Sequence, residues 1–383
     1  MRIASHKVVT GTTGPEPRPL TLVVEGERVV EVVEGIEPDA DLVEGWIVPG
    51  YVDTHCHGGA GADFSSTDPD AVRRAIDFHR SHGTTTLFAS TVTEAMDEVI
   101  AQIERMRPLV EAGELAGIHL EGPFLSPEKK GAHNPDLLVD PRPEYVERIL
   151  EASGGAVRMI TLAPEREFGL EAFSTFTENG VAAAFGHSDA DNRVAKQAVD
   201  AGASIVTHLF NAMRPIHHRQ PGPVPTLLDD ERVMVELICD GAHLDADVIA
   251  MSRDAAGIHR VGLVTDAMSA TGQPDGRYDL GSLKVQVTDG VARILADDGT
   301  LGAIAGSTLT MDRAVEYVVT HCGCEVGEAA IMAATTPARW HGLAEVGELA
   351  PGRYADLCVV DDGAGLQRVM HRGRWIEGAG EGA

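Results

Sequence analysis

Histidines and carboxylates in this chain recur at one kind of place, the ends of short apolar runs. His55-Cys56-His57 closes a run that begins at Ile47, and His119-Leu120-Glu121 closes Gly117–Glu121. Gly186-His187, Thr207-His208 and Thr265-Asp266 close three more. Side chains alternate along a strand, so His55 and His57 should face one way and Cys56 the other. Two imidazoles on one face can grip a cation, and nitrogen with carboxylate oxygen suits zinc and related divalent ions. Glu121 can complete or bridge such a site, while His187 and His208 add two nitrogens. Five ligands exceed the needs of one tetrahedral ion, which points to a two-metal centre. A single histidine at a strand end is more often an ordinary hydrogen-bonded residue, so the argument rests on their convergence. His79 and His82 fall on the following helical stretch and read as structural, and His259, His321 and His341 have no such company. Asp53 is expected either to brace the His55/His57 turn or to serve as a plain turn residue.

The elements needed to bring these residues together are visible in the spacing. Eight apolar runs read as strands: Ile47–His57, Thr84–Ser90, Gly117–Glu121, Val157–Ala163, Val181–His187, Ser204–Leu209, Val233–Cys239 and Val261–Asp266. Helical stretches such as Asp70–His82, Ala95–Ala112 and Arg193–Ala201 separate them. This alternation predicts a (β/α)8 TIM barrel, and the polar residues then sit at the C-terminal strand ends where barrels build their sites. Arg277–Gly306 alternates like strands around Asp289-Gly290 and Asp298-Gly299, which predicts a β insertion near 277–303. Asp312–His321 and Glu325–Ala334 read as closing helices. Arg2–Val9, Leu20–Gly35, Ala355–Asp362 and Leu366–Gly378 are β-like. They predict a small β-sandwich domain from both termini, 1–46 with 348–383, around a barrel of 47–347.

The 59 acidic against 31 basic residues leave a net charge of -28, which disfavours nucleic acid and anionic membranes as partners. Five cysteines without a paired framework fit a reducing, cytoplasmic setting. Neither a leader nor a membrane span is expected. His217-His218-Arg219 is a basic island in this acidic chain; on residue type alone it is a solvated cluster or an anion site.

Val48–Gly59, "VPGYVDTHCHGG", resembles the opening signature of the amidohydrolase superfamily. "GIHLEGPFLSPEKKGAHNP" (Gly117–Pro135), "FGHSDA" (Phe185–Ala190), "THLFNAMRPIHHRQPG" (Thr207–Gly222) and "TDAMSATG" (Thr265–Gly272) are similar to the N-acetylglucosamine-6-phosphate deacetylases within it. The resemblance spans about 45–360. It implies a homodimer that acts on a small sugar phosphate, with Glu121, His187 and His208 holding the principal metal. Members differ at the first strand; with His55 and His57 both present, a second ion bridged by Glu121 is expected. Zinc is the first expectation for one or two ions per chain, and iron fits the same donors. The run "VRMITLAPE" offers no lysine to serve as a carboxylated bridge. The resemblance, with position, gives Asp266 the acid–base role, a pure ligand being the alternative, and makes His133 a donor to the substrate carbonyl. It places Asn211, the Ala212 backbone, Arg219 and His243 on the phosphate, Arg219 from the partner subunit. Ala132 and Ala305, Gly306 and Ser307 would line the sugar. The expected reaction is hydrolysis of the acetamide of N-acetyl-D-glucosamine 6-phosphate. Two other readings stand: an amidohydrolase for a cyclic amide or nucleobase, and a barrel used only as a scaffold.

Overall fold

The computed structural model describes residues 1–379. Eight strands form one parallel sheet whose order follows the chain: Tyr51–Asp53, Thr84–Thr91, Gly117–Glu121, Val157–Leu162, Ala182–Phe185, Ile205–Val206, Met234–Ile238 and Val261–Val264. Parallel neighbours require a crossover. Helices Pro69–Ser81, Met96–Glu111, Pro143–Ser153, Gly169–Glu178, Asn192–Asp200, Val224–Asp229 and Ala246–Ala256 supply seven in turn. Their inner faces, such as Val72, Ala75 and Ile76 on the first, join one large core with the strands. Aspartates 68, 191 and 245 cap helices by accepting from backbone N–H groups of the first turn.

The barrel closes in a particular way. Its first and last strands share no ladder; they meet just beyond their C-terminal ends. The Asp266 N–H donates to the His55 carbonyl at 2.8 Å, and Cys56 bridges Ala267. The buried Asp53 carboxylate spans the same seam. It accepts from His55 N at 3.2 Å, Thr265 N at 3.3 Å and Thr265 Oγ1 at 2.6 Å. Asp53 thus braces the His55 turn, as one of its two readings expects, and also ties the barrel shut, which neither reading foresees.

The expected strand Ile47–His57 is two elements. Trp46–Pro49 pairs with the terminal strands Arg2–Val8 and Leu357–Val360, and only Tyr51–Asp53 belongs to the barrel. Gly50 makes the transfer, since a Cβ there would come within 2.3 Å of Thr85 Oγ1. A continuous apolar run hides such a switch because both sheets bury it. The terminal strands form one eight-stranded sheet, contributed by both ends of the chain, with its own core of Ile3, Leu20, Leu22, Ile47, Leu357 and Met370.

Beyond the last barrel strand, Gly276–Leu280, Leu283–Thr288, Val291–Leu295 and Leu301–Ile304 form an antiparallel meander. It turns at Asp289-Gly290, both at positive φ, as a two-residue hairpin requires. Helix Met311–His321 follows, then Val326–Ala330, which runs through a π turn at Ile331–Thr335 into Thr336–Trp340. No helix among the described residues is long and apolar enough to cross a membrane.

Candidate metal centre and active site

The strand ends deliver their polar residues to one point through a strained backbone. His187, His208 and Asp266 have φ of 47°, 28° and 50°, and Phe210 and Ala212 are also positive. Left-handed backbone is costly for such residues and persists where surrounding structure over-determines it, typically at functional sites. Each strand ladder stops just before these turns, which explains why Ile205–Val206 is only two residues long.

Glu121 sits at the centre. Its Oε1 lies 3.1 Å from His187 Nε2, 3.0 Å from His208 Nε2 and 3.6 Å from His55 Nε2. Its Oε2 lies 3.2 Å from His57 Nε2. The carboxylate thus touches two histidine pairs. Nε2 of His55 and His57 are 3.2 Å apart, and those of His187 and His208 are 3.1 Å apart. Asp266 Oδ1 faces the first pair at 3.4 and 3.1 Å. Imidazole nitrogens that converge on one another and on carboxylates fit a cation between them. His187 Nδ1 donates to the Lys129 carbonyl at 2.8 Å, which leaves its Nε2 as an acceptor aimed inward. The five predicted ligands therefore converge, with nitrogen and oxygen donors suited to divalent metal. Cys56 does turn away, its Sγ 3.3 Å from His79 Nε2. His79 donates to the Gly58 carbonyl and His82 meets Asp312, the structural parts expected of them.

His133 also approaches Glu121, its Nε2 3.4 Å from Oε2, and geometry alone would admit it as a ligand. Its other nitrogen decides otherwise. Thr93 N–H donates to His133 Nδ1 at 3.2 Å, so a neutral ring carries its proton on Nε2. Burial, outweighing Glu121, lowers its pKa to about 4 and keeps it neutral. His133 presents an N–H to the pocket. The carboxylates behave oppositely. Burial works against ionisation of Asp266, but His55 and then His57 hold its pKa down at about 2. Burial likewise opposes Glu121, which His55, His133, His187 and His208 hold well below the usual range.

A pocket of about 380 Å³ opens above this centre. His57, Glu121, His187, His208 and Asp266 form its floor, and Ala132, His133, Asn211, Ala212, His243 and Gly306 its walls. Ala305 and Ser307 are buried beside Gly306 and do not line it. Arg219 is exposed, pairs with His218 and stands away from the pocket of its own chain. His243 and Lys129 stand on the pocket wall. Burial disfavours the charge of His243, yet Asp240, 2.7 Å from Nδ1, raises its pKa. Sequence reasoning missed Glu128, Lys129, Val92 and the meander residues Leu280, Ala303 and Ile304, which also line the pocket. Lys129 could have been suspected from the Lys129-Lys130 pair beside His133; the meander residues gave no chemical signal. It also missed Glu236, a buried carboxylate inside a strand sequence, and gave no role to the buried His119. His119 joins a chain of buried hydrogen bonds from Ser90 through Thr161 to Thr207.

The Amidohydrolase family profile matches residues 46–376. The chain belongs to the amidohydrolase family. It is 35% identical over 362 residues to an N-acetylgalactosamine-6-phosphate deacetylase of Escherichia coli O157:H7, covering 92% of each. It is 34% identical to an N-acetylglucosamine-6-phosphate deacetylase of Lysinibacillus sphaericus, covering 91% of this chain and 90% of the relative. A mutant N-acetyl-D-glucosamine-6-phosphate deacetylase of Mycobacterium smegmatis, solved in complex with N-acetyl-D-glucosamine-6-phosphate, superposes with a TM-score of 0.93 at 43% identity, covering 98% of both chains. Amidohydrolases are metal-dependent, and the His/Asp and Glu/His clusters of this barrel accord with that.

Proposed function

We propose that this chain hydrolyses the acetamide of N-acetyl-D-glucosamine 6-phosphate to D-glucosamine 6-phosphate and acetate. The observation that carries the reading is one pocket floored by four of the five convergent metal donors, with His55 buried behind them, where an ionised Asp266 and a neutral N–H-bearing His133 meet. His55, His57, Glu121, His187 and His208 would hold one or two ions, zinc first and iron as the alternative. When bound, such an ion would lower the pKa of a water and polarise the carbonyl. Asp266 takes a proton from the attacking water and delivers it to the leaving nitrogen, so the amide breaks into an amine and a carboxylate. His133 donates to the carbonyl oxygen as negative charge grows there.

Asn211, the Ala212 backbone and His243 bind the phosphate, joined by Arg219 of the partner subunit in a homodimer. Arg219 being exposed and unused in its own pocket supports the dimer reading. The backbone of Ala132 and of Gly306 shapes the sugar site, with Ala305 and Ser307 buried behind Gly306. A cytoplasmic setting and a division into a terminal β domain and a barrel complete the proposal, with the expected boundary at 46/47 moved to Gly50, where the chain leaves the terminal sheet. A second reading keeps the chemistry and inverts one sugar hydroxyl: the Escherichia coli relative favours N-acetyl-D-galactosamine 6-phosphate. The test is acetate release from both phosphorylated sugars, from unphosphorylated N-acetylglucosamine and from cyclic amides. Preference for the galacto sugar would replace the substrate, and turnover of cyclic amides alone would overturn the reading.

A further inference from the structure

Glu236 lies in the middle of Met234–Ile238, a strand that otherwise reads as apolar core, and is 0% exposed. A buried carboxylate is costly unless each oxygen is satisfied and its charge answered. Both oxygens are engaged: Oε1 accepts from Thr54 Oγ1 at 3.2 Å and Oε2 faces His55 Nδ1 at 3.3 Å. Among the described residues no Lys or Arg nitrogen lies within 4.0 Å of Glu236, Glu121 or Asp266. Glu236 therefore looks into the metal centre through one ring. By accepting from Nδ1–H it leaves Nε2 of His55 as the lone-pair nitrogen, directed at His57, Asp266 and Glu121.

The other ligands have no such support. His187 leans on a neutral carbonyl, and Nδ1 of both His57 and His208 has no protein partner among the described residues. Anionic backing is thus confined to the His55/His57 half. Charge makes the same distinction. Glu236 adds a third buried carboxylate to the two that a single divalent ion would face, which favours a further cation in the His55/His57 half. We propose that Glu236 is a positioning residue that orients His55 and decides whether the His55/His57 half is loaded with a second ion. This rests on the two-ion reading above.

The test is zinc titration of the full-length protein by calorimetry with elemental analysis, comparing the parent with Glu236→Gln. The amide keeps the shape, loses the charge and can present its NH2 to His55. Removal of such outer partners typically weakens metal affinity 10- to 100-fold. The expected result is two ions in the parent and, in the variant, a second ion weakened by that factor with the first unchanged. Equal affinity for both ions in the two proteins overturns the role of Glu236 alone. A parent that takes up only one ion at saturating zinc overturns the two-ion reading and this proposal with it. A measurement on the parent needs no variant to fold: histidine ¹⁵N resonances should show His55 protonated at Nδ1, and the opposite tautomer overturns the proposal.

Discussion

At the two ends of the barrel interior, histidines are equally buried and chemically opposite. At the mouth, burial works against the charge of His57, but Asp266 and Glu121 outweigh it and raise its pKa to about 9. Toward the floor, His341 packs edge-on to Phe88 beside an apolar layer of Met159, Ala184, Ile205 and Met234. Burial there, assisted by Arg158, lowers its pKa to about 3. Desolvation is common to both, so it does not make a site. Carboxylates placed opposite the rings do, and at the mouth Glu121, Asp266 and Glu236 all face His55 or His57.

The hardest test of that contrast is to disarm the mouth while leaving its shape. Asp266→Asn should retain metal and lose about a hundredfold to ten-thousandfold in turnover, read by steady-state kinetics beside elemental analysis. Loss of metal instead would make Asp266 chiefly a ligand. Chelation of the parent should abolish turnover, with zinc restoring it; full activity in metal-free protein would remove the mechanism. A smaller effect is expected at the rim. Arg219→Ala should lower kcat/KM for the phosphorylated sugar by about tenfold to a hundredfold and spare the unphosphorylated sugar. Equal losses on both would make Arg219 structural.

The floor should respond to pH instead of substrate. A histidine whose folded pKa is depressed leaves the unfolded chain holding more protons, so stability falls as pH drops below 6.5 toward the folded value of about 3. Between pH 7.5 and 5 His341 should cost about 2 kcal/mol, and His341→Leu should flatten that part of a urea-unfolding series. An unchanged slope would mean the ring is not buried neutral. The smallest effect belongs to a mouth residue without chemistry. Asp191 accepts from Val194 N at 2.9 Å, and Asp191→Ala should cost about 1 kcal/mol in urea unfolding at unchanged kcat.

Much of the mouth was legible because ligands fall at the ends of apolar runs, and the chain Glu121, His187, His208, Asp266 marks those ends directly. The barrel order followed from the same runs. What could not be read depended on partners distant in sequence. Glu236 looks like a stray charge in a core strand until Thr54 and His55 are placed beside it. The proton position of His133 is set by a backbone N–H forty residues away, at Thr93. Gly50, where the chain changes sheets, lies within an apolar run that both sheets bury, so pattern alone continues the strand. Leu280, Ala303 and Ile304 are ordinary hairpin residues until the meander folds over the pocket.

That meander leaves and rejoins the barrel at nearly one point. Ser307 N donates to the Asp266 carbonyl at 2.7 Å, and Met268 N donates to the Ser307 carbonyl at 3.0 Å. The chain between therefore behaves as a cassette plugged into the last strand. None of the five metal donors lies on it, yet four of its residues, Leu280, Ala303, Ile304 and Gly306, form pocket wall. Exchanging the cassette for one of different length or bulk would redraw the volume offered to the substrate while leaving the ligands and Asp266 in register, a separation between selecting a molecule and reacting with it.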